Sequence, residues 1–275
     1  MKRIKDVCEN MAKKLGVTLD LTQKERFFPD KIVDSKAFCK PNLVCIVARP
    51  GVGKTTIALD VVLPEAVETE GKVLLFSFEK TAEQIVSQLL MKISGANMCL
   101  MSSPFADAKK KAELYKAIAF LSELDIYVED FEGQDKTDLS YVENSVSQFE
   151  DVAFVFIDGL YCFYPETKNE KLDEKLQAQA IAKVKTLAEK INAPILVTTY
   201  MSRADIKKAY AGKTLDNLFF KSGADQLLIL YRAAFTSHEL TTSATDMLIA
   251  EKSGEYKRES LCYDTKHRRF LKVAD

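Results

Sequence analysis

Leu43-Val44-Cys45-Ile46-Val47 runs directly into Ala48-Arg49-Pro50-Gly51-Val52-Gly53-Lys54-Thr55-Thr56, and Ile57-Ala58-Leu59-Asp60-Val61-Val62 follows. An apolar strand, a glycine-bearing turn, Gly-Lys-Thr and a helix start stand in the order that a phosphate-binding loop requires. Backbone N–H groups of such a turn and helix N-terminus surround phosphate oxygens, and only glycine or small residues let the backbone come that close. In this reading residues 48–56 line a nucleoside triphosphate. Lys54 reaches the β- and γ-phosphates, and the Thr55 hydroxyl helps to hold Mg²⁺. The first position of the general pattern G-x-x-x-x-G-K-[ST] is Ala48 here rather than glycine.

Bulk properties bound what surrounds that loop. At 275 residues and 47% hydrophobic, the chain can bury a full core, and one α/β domain with a short N-terminal appendage fits better than two equal domains. A formal charge of -1 gives no global pull toward nucleic acid, so any such binding needs a local patch. Six cysteines without a C-x-x-C pair read as reduced thiols, and two histidines make a zinc site improbable. The N-terminus lacks the apolar core of a signal peptide and no run has the length of a membrane span. A cytoplasmic protein is expected.

Apolar runs alternate with helical patterns along the rest of the chain. Ile4, Val7, Cys8, Met11 and Leu15 share one helical stripe, which either folds back on the core or docks on a neighbour. Residues 16–42 read as a connecting segment, which divides the chain into 1–42 and an ATPase domain over 43–275. Helices are expected at 54–63, 81–94, 107–123, 138–149 and 172–191, the second opened by a Thr81/Gln84 capping box. Strands are expected at 43–47, 72–78, 126–128, 152–158, 194–199, 226–231, 246–251 and 259–264. Continuous apolar strands between helices predict a mainly parallel sheet covered on both faces, with antiparallel strands added at the C-terminal edge.

Two acids fall where such a sheet binds ligands. Asp158 ends the run Phe154-Val155-Phe156-Ile157, at the carboxyl edge of a buried strand, where a carboxylate holds the Mg²⁺ shell. A plain turn start with Gly159 is the alternative. Glu79 ends Phe76-Ser77-Phe78 on the same edge, where a carboxylate can orient or deprotonate the water that attacks the γ-phosphate. A solvated carboxylate capping the next helix is the alternative there.

These segments together resemble the ATPase domain of DnaB-type replicative helicases, within the RecA-like superfamily. The resemblance rests on Ala48-Arg49-Pro50 with Gly53-Lys54-Thr55-Thr56, on Phe76 through Gln84, and on Ile157-Asp158. Ala48 is what that family shows at the first loop position. The resemblance implies a RecA-like P-loop fold, with Glu79 as the catalytic glutamate. Residues 193–203 are similar to the motif whose strand usually ends in Ser-Gln, the Gln sensing the γ-phosphate; the matching pair here is Thr199-Tyr200, and a tyrosine hydroxyl can still reach phosphate. Tyr231-Arg232 resembles the family's Tyr-Arg strand end at the nucleotide. Ala250, Lys252 and Gly254 match Lys-x-Arg-Asn-Gly, so Lys252 is either a cationic finger reaching the next subunit's site or a solvated hairpin lysine. The similarity covers roughly residues 43–270, and the first 40 residues are too short for the family's primase-binding N-terminal domain.

Nucleic acid, if bound, is expected at 164–171 and at the loop 203–221. The second carries Arg203, Lys207, Lys208, Lys213 and Lys221 with Tyr210, Phe219 and Phe220 interleaved, either a mixture suited to tracking a single-stranded backbone or a lysine-bearing surface loop with two core phenylalanines. The resemblance implies an ATP-hydrolysing helicase motor on single-stranded DNA, a homo-oligomeric ring or filament, and a replication or loader protein as partner. A RecA- or KaiC-like recombination, loading or regulatory switch that does not unwind DNA is the alternative. A small-molecule kinase would need a lid and substrate pocket that the sequence does not display.

Overall fold

The computed structural model describes residues 1–16, 27, 30–39, 41–96, 107–131, 138–164, 170–211, 218–232 and 245–273, with the side chains of 35, 170, 171, 203 and 204 excepted. Its strands are β1 (Lys2–Arg3), β2 (Leu43–Ala48), β3 (Lys72–Ser77), β4 (Ile126–Asp130), β5 (Val152–Asp158), β6 (Ile195–Tyr200), β7 (Gln226–Arg232), β8 (Thr245–Glu251), β9 (Tyr256–Asp264) and β10 (Arg269–Lys272). They form one sheet in the order β1-β4-β3-β5-β6-β2-β7-β8-β9-β10. β4, β3, β5, β6, β2 and β7 run parallel. β1 adds antiparallel at one edge, and β8, β9 and β10 add antiparallel at the other.

The described helices are α1 (Ile4–Lys14), α2 (Lys54–Glu68), α3 (Ala82–Ser94), α4 (Ala108–Glu123), α5 (Leu139–Val146), α6 (Glu170–Ile191), α7 (Arg203–Tyr210) and α8 (Leu218–Lys221). Successive strand residues point to opposite faces, and β2 shows both halves of the core. Val44, Ile46 and Ala48 join the cluster under α1 to α4, whereas Leu43, Cys45 and Val47 join the one under α5 to α8. Every β2 residue is buried, as expected of a parallel strand covered on both sides. The stripe of α1 buries Ile4, Val7, Cys8 and Met11 against α3 and α4 of its own chain.

Three local expectations are corrected. α2 does not stop before Pro64 but continues to Glu68. Proline within a helix costs about 3 kcal/mol, and burial of Ile57 through Ala66 on the core face offsets it. The segment 203–221 is not a loop throughout: Ser202 caps α7, accepting from the Asp205 N–H at 3.1 Å, and α8 follows. β1 and β10, absent from the sequence reading, are two and four residues long. Their pairing comes from a neighbouring strand rather than from any apolar run of their own.

Candidate nucleotide site

The site is built at the carboxyl ends of β2, β3, β5 and β6. The turn after β2 places Gly51 at φ 77° and Gly53 at φ 108°, the left-handed region that glycine enters without a Cβ penalty. Gly53 then opens α2, its carbonyl accepting from Ile57 N–H at 3.0 Å, so the first helical N–H groups are left facing the loop. The dihedral angle favours glycine here, and the ring of Phe270 lies 3.3 Å from where a Cβ on Gly53 would sit, close enough that the ring would have to give way. The Phe270 N–H donates to Asp60 Oδ2 at 2.9 Å. Asp60 Oδ1 in turn accepts from Lys92 Nζ at 2.6 Å, and Lys92 also reaches the Arg268 carbonyl at 3.0 Å. A buried ion pair therefore ties β10 to the helix that carries the phosphate loop.

Asp158 is 1% exposed and lies level with Ser77 on β3 and Thr198 on β6. The Thr55 hydroxyl lies 2.9 Å from its Oδ2 and 3.1 Å from its Oδ1. The Thr198 hydroxyl donates to Oδ1 at 2.7 Å while accepting from Gly159 N–H at 2.8 Å. A buried carboxylate and a threonine hydroxyl, side by side, form an oxygen donor pair of the kind a small divalent cation takes. Glu79 follows β3 beside them. Burial pushes its carboxyl above the usual range, and the Asp158 carboxylate adds to the shift against Lys80 and Lys54. Burial lowers the Lys54 ammonium, with Glu79 and Asp158 opposing.

Tyr200 pairs in the sheet with Ala48, the first residue of the loop. The Lys54 ammonium stands over its ring, 4.1 Å from the centroid. Tyr161 stacks on Tyr200 at 4.3 Å and 24°. Gln177 Nε2 donates to the Thr199 hydroxyl at 3.1 Å and to the Tyr200 carbonyl at 3.0 Å. The ring face of Tyr200, rather than its hydroxyl, thus meets the loop lysine.

Arg232 ends β7 at the same edge of the sheet as the loop. Lys252 does not. Its N–H bonds the Asp225 carbonyl, and Asp225 N–H bonds the Leu43 carbonyl, which puts the β8–β9 turn at the amino end of β2. The six residues of β2 separate it from the loop, roughly 20 Å at about 3.3 Å per residue. Lys252 is exposed there and is remote from Lys54 of its own chain.

The basic segment is reordered. Lys207, Lys208 and Lys221 are exposed, and Lys208 pairs with Asp205 at 3.2 Å. Lys213 and residues 165–169 lie outside the described residues, as does the side chain of Arg203. None of the three interleaved rings is presented for stacking. Phe219 is buried, Phe220 packs on the core, and Tyr210 turns its hydroxyl to the Ile229 and Asp246 carbonyls at 2.9 and 2.7 Å.

Sequence reasoning missed five contributors: Lys80, Thr198, Tyr161, Gln177 and Phe270. Lys80 Nζ lies 3.4 Å from the Thr55 hydroxyl and 3.8 Å from Glu79 Oε2. Thr198 had a signal, since a hydroxyl within an otherwise apolar buried strand needs a partner. Lys80 had one as well, standing next to Glu79 within Phe76–Gln84; Tyr161, Gln177 and Phe270 had none, because long-range packing brings them in.

The chain is similar to known proteins. Residues 33–272 match the family model described as the DnaB-like helicase C terminal domain. The replicative DNA helicase DnaC of Bacillus subtilis is 22% identical over 264 residues, covering 94% of this chain and 57% of its own length. The replicative DNA helicase DnaB of Helicobacter pylori strain 26695 is 27% identical over 251 residues, covering 86% of this chain and 49% of its own length. This chain spans about half the length of these curated relatives. A solved structure of a single ATPase domain superposes with a TM-score of 0.67 at 20% identity over 86% of each chain. A DnaB-like replicative helicase, solved in a study of its interactions with primase, superposes at 0.66 and 20% over 85% of this chain and 58% of its own. The mainly parallel sheet with its antiparallel C-terminal edge is thus that of a RecA-like P-loop ATPase, and the chain belongs to the DnaB-like helicase C-terminal domain family.

Proposed function

We propose that this chain is an ATP-hydrolysing, DnaB-like motor that works on single-stranded DNA as a homo-oligomeric ring or filament. The carrying observation is the split of the site residues between the two ends of the sheet. Lys54, Thr55, Asp158 and Glu79 gather at one end, and Lys252 stands at the other. If Lys252 serves as a cationic finger rather than as a solvated hairpin lysine, at that distance it serves a neighbour's nucleotide, and sites shared between protomers need an assembly.

In this reading residues 48–56 cradle the ATP phosphates, Lys54 offsets their charge, and Arg232 approaches the nucleotide from β7. Mg²⁺, when bound, neutralises charge on the β- and γ-phosphates, and Thr55 and Asp158 are the residues that would hold it. The Thr198 hydroxyl holds Asp158 Oδ1, which orients the carboxylate toward Thr55 and limits the reorganisation needed to accept a cation. Glu79, its carboxyl raised in pKa by burial, suits a base that takes a proton from water. Lys207, Lys208 and Lys221 supply backbone contacts to DNA, together with Arg203 and Lys213.

ATP turnover should rise on adding single-stranded DNA and vanish in Lys54→Ala, and the solution mass should rise with ATP and DNA. A turnover rate indifferent to DNA, or a monomer under all conditions, overturns the motor. The switch reading, with a loader or replication protein as partner, is favoured by one observation: the rings of 203–221 pack inward and leave no stacking platform among the described residues there. Displacement of a strand from a forked duplex separates the two, since the switch displaces none.

A further inference from the structure

We infer that the Tyr200 ring is a positioning residue for Lys54, a π-face that holds the loop ammonium in place while leaving its N–H donors for phosphate. Lys54 Nζ is 4.1 Å from the ring centroid, well within cation–π range. Among the described residues it makes no hydrogen bond or ion pair, although Asp158 and Glu79 are close enough to act on its charge.

That choice of partner has a chemical consequence. A carboxylate holding Lys54 would consume donors and neutralise the charge, and an incoming phosphate would have to displace it. A ring face attracts the cation through its quadrupole without accepting its hydrogen bonds in full. The ammonium is thereby localised yet still unsatisfied, which is the state that meets an anion with least rearrangement. Burial disfavours its charged form, and the ring partly offsets that penalty.

The ring itself is held from two sides. Tyr161, two residues past Gly159, stacks on it at 4.3 Å, and Gln177 fixes its carbonyl from α6. Tyr161, Tyr200 and Lys54 thus form a three-part stack drawn from the turn after β5, the end of β6 and the phosphate loop. The contact with Lys54 is made by the ring face and not by the hydroxyl.

This inference rests on the nucleotide reading of the site, and the test separates the two. ATP and ADP affinities are measured by calorimetry on the full chain. Tyr200→Phe should stay within about twofold of wild type, and Tyr200→Leu should weaken both nucleotides about tenfold. In a Lys54→Met background, Tyr200→Leu should add nothing, because the ring then has no cation to hold. Phenylalanines of increasing fluorination placed at position 200 keep the shape while draining the ring face, so affinity should fall stepwise; this series reports even if Tyr200→Leu does not fold. A flat fluorination series, a full loss in Tyr200→Phe, tighter binding in Tyr200→Leu, or additive losses in the Lys54→Met background would each overturn the assignment. If wild type takes up no nucleotide, the nucleotide reading fails first and this one with it.

Discussion

Lys92→Met should destabilise the chain far more than Lys14→Met, although the two lysines make ion pairs of equal length. Lys92–Asp60 and Lys14–Glu83 are both 2.6 Å pairs, but their side-chain exposures are 3%/6% and 64%/52% respectively. Exposed pairs are worth about 0–1 kcal/mol, because water and salt already screen the charges. Removing one partner of a buried pair costs about 3–5 kcal/mol, because the other charge is stranded in low dielectric. In Lys92→Met, Asp60 keeps the Phe270 N–H and loses its buried cation. At about 2–4 °C per kcal/mol for a chain of this size, melting should fall by about 6–20 °C, against less than about 4 °C for Lys14→Met. Burial already pushes the Asp60 carboxyl upward, with Lys92 opposing, so losing Lys92 raises it further. A carboxyl raised in the folded state contributes stability that is complete below its unfolded value and is lost as pH rises through the folded one. The deficit of Lys92→Met should therefore narrow as pH falls from neutral toward the ordinary carboxyl value of 3.8. Melting and denaturant titration across that range provide the check. Equal losses in the two variants, or a deficit flat in pH, would refute the claim that burial rather than contact decides the cost.

Further expectations concern the site. Glu79→Gln should keep nucleotide affinity and lower turnover about 10²–10⁴-fold, measured by calorimetry beside steady-state ATPase assays. Because burial raises the Glu79 carboxyl and a base must be ionised, wild-type turnover should begin to fall on acidification above the ordinary 4.5; a profile flat down to that value counts against Glu79 as base. Thr198→Val removes a 2.7 Å donor from buried Asp158 and should cost about 1–3 kcal/mol in denaturant unfolding. Gly53→Ala meets both a φ of 108° and the Phe270 ring at 3.3 Å, so nucleotide binding should be lost while circular dichroism shows the helices and sheet intact.

The path from Leu43 to Val62 was legible because its strand, turn and helix are specified by neighbours in sequence, as was the Thr81–Gln84 cap, whose side chains bond their own helix end. The acids at the strand ends were legible for the same reason, since a buried apolar run announces where it stops. Other features depend on distant partners. Pro64 is a local stop signal overruled by packing. Phe219 and Phe220 read either as stacking rings beside lysines or as core rings, and only the position of α7 and α8 over the sheet decides for the core and turns Tyr210 inward as well. β10 is a short charged stretch whose strand character comes from β9. That Lys252 faces away from its own loop follows from the register of β8 on β7, which no spacing reveals.

The contact between Phe270 and the phosphate loop also sets an order of events during synthesis. Asp60 and Phe270 are 210 residues apart, so a ribosome-bound chain can make strand, loop and helix early and still lack the strand that braces them. A nucleotide met before then would find the loop without its Phe270 brace, and a chain cut short before β10 would be left with the motif but without its support.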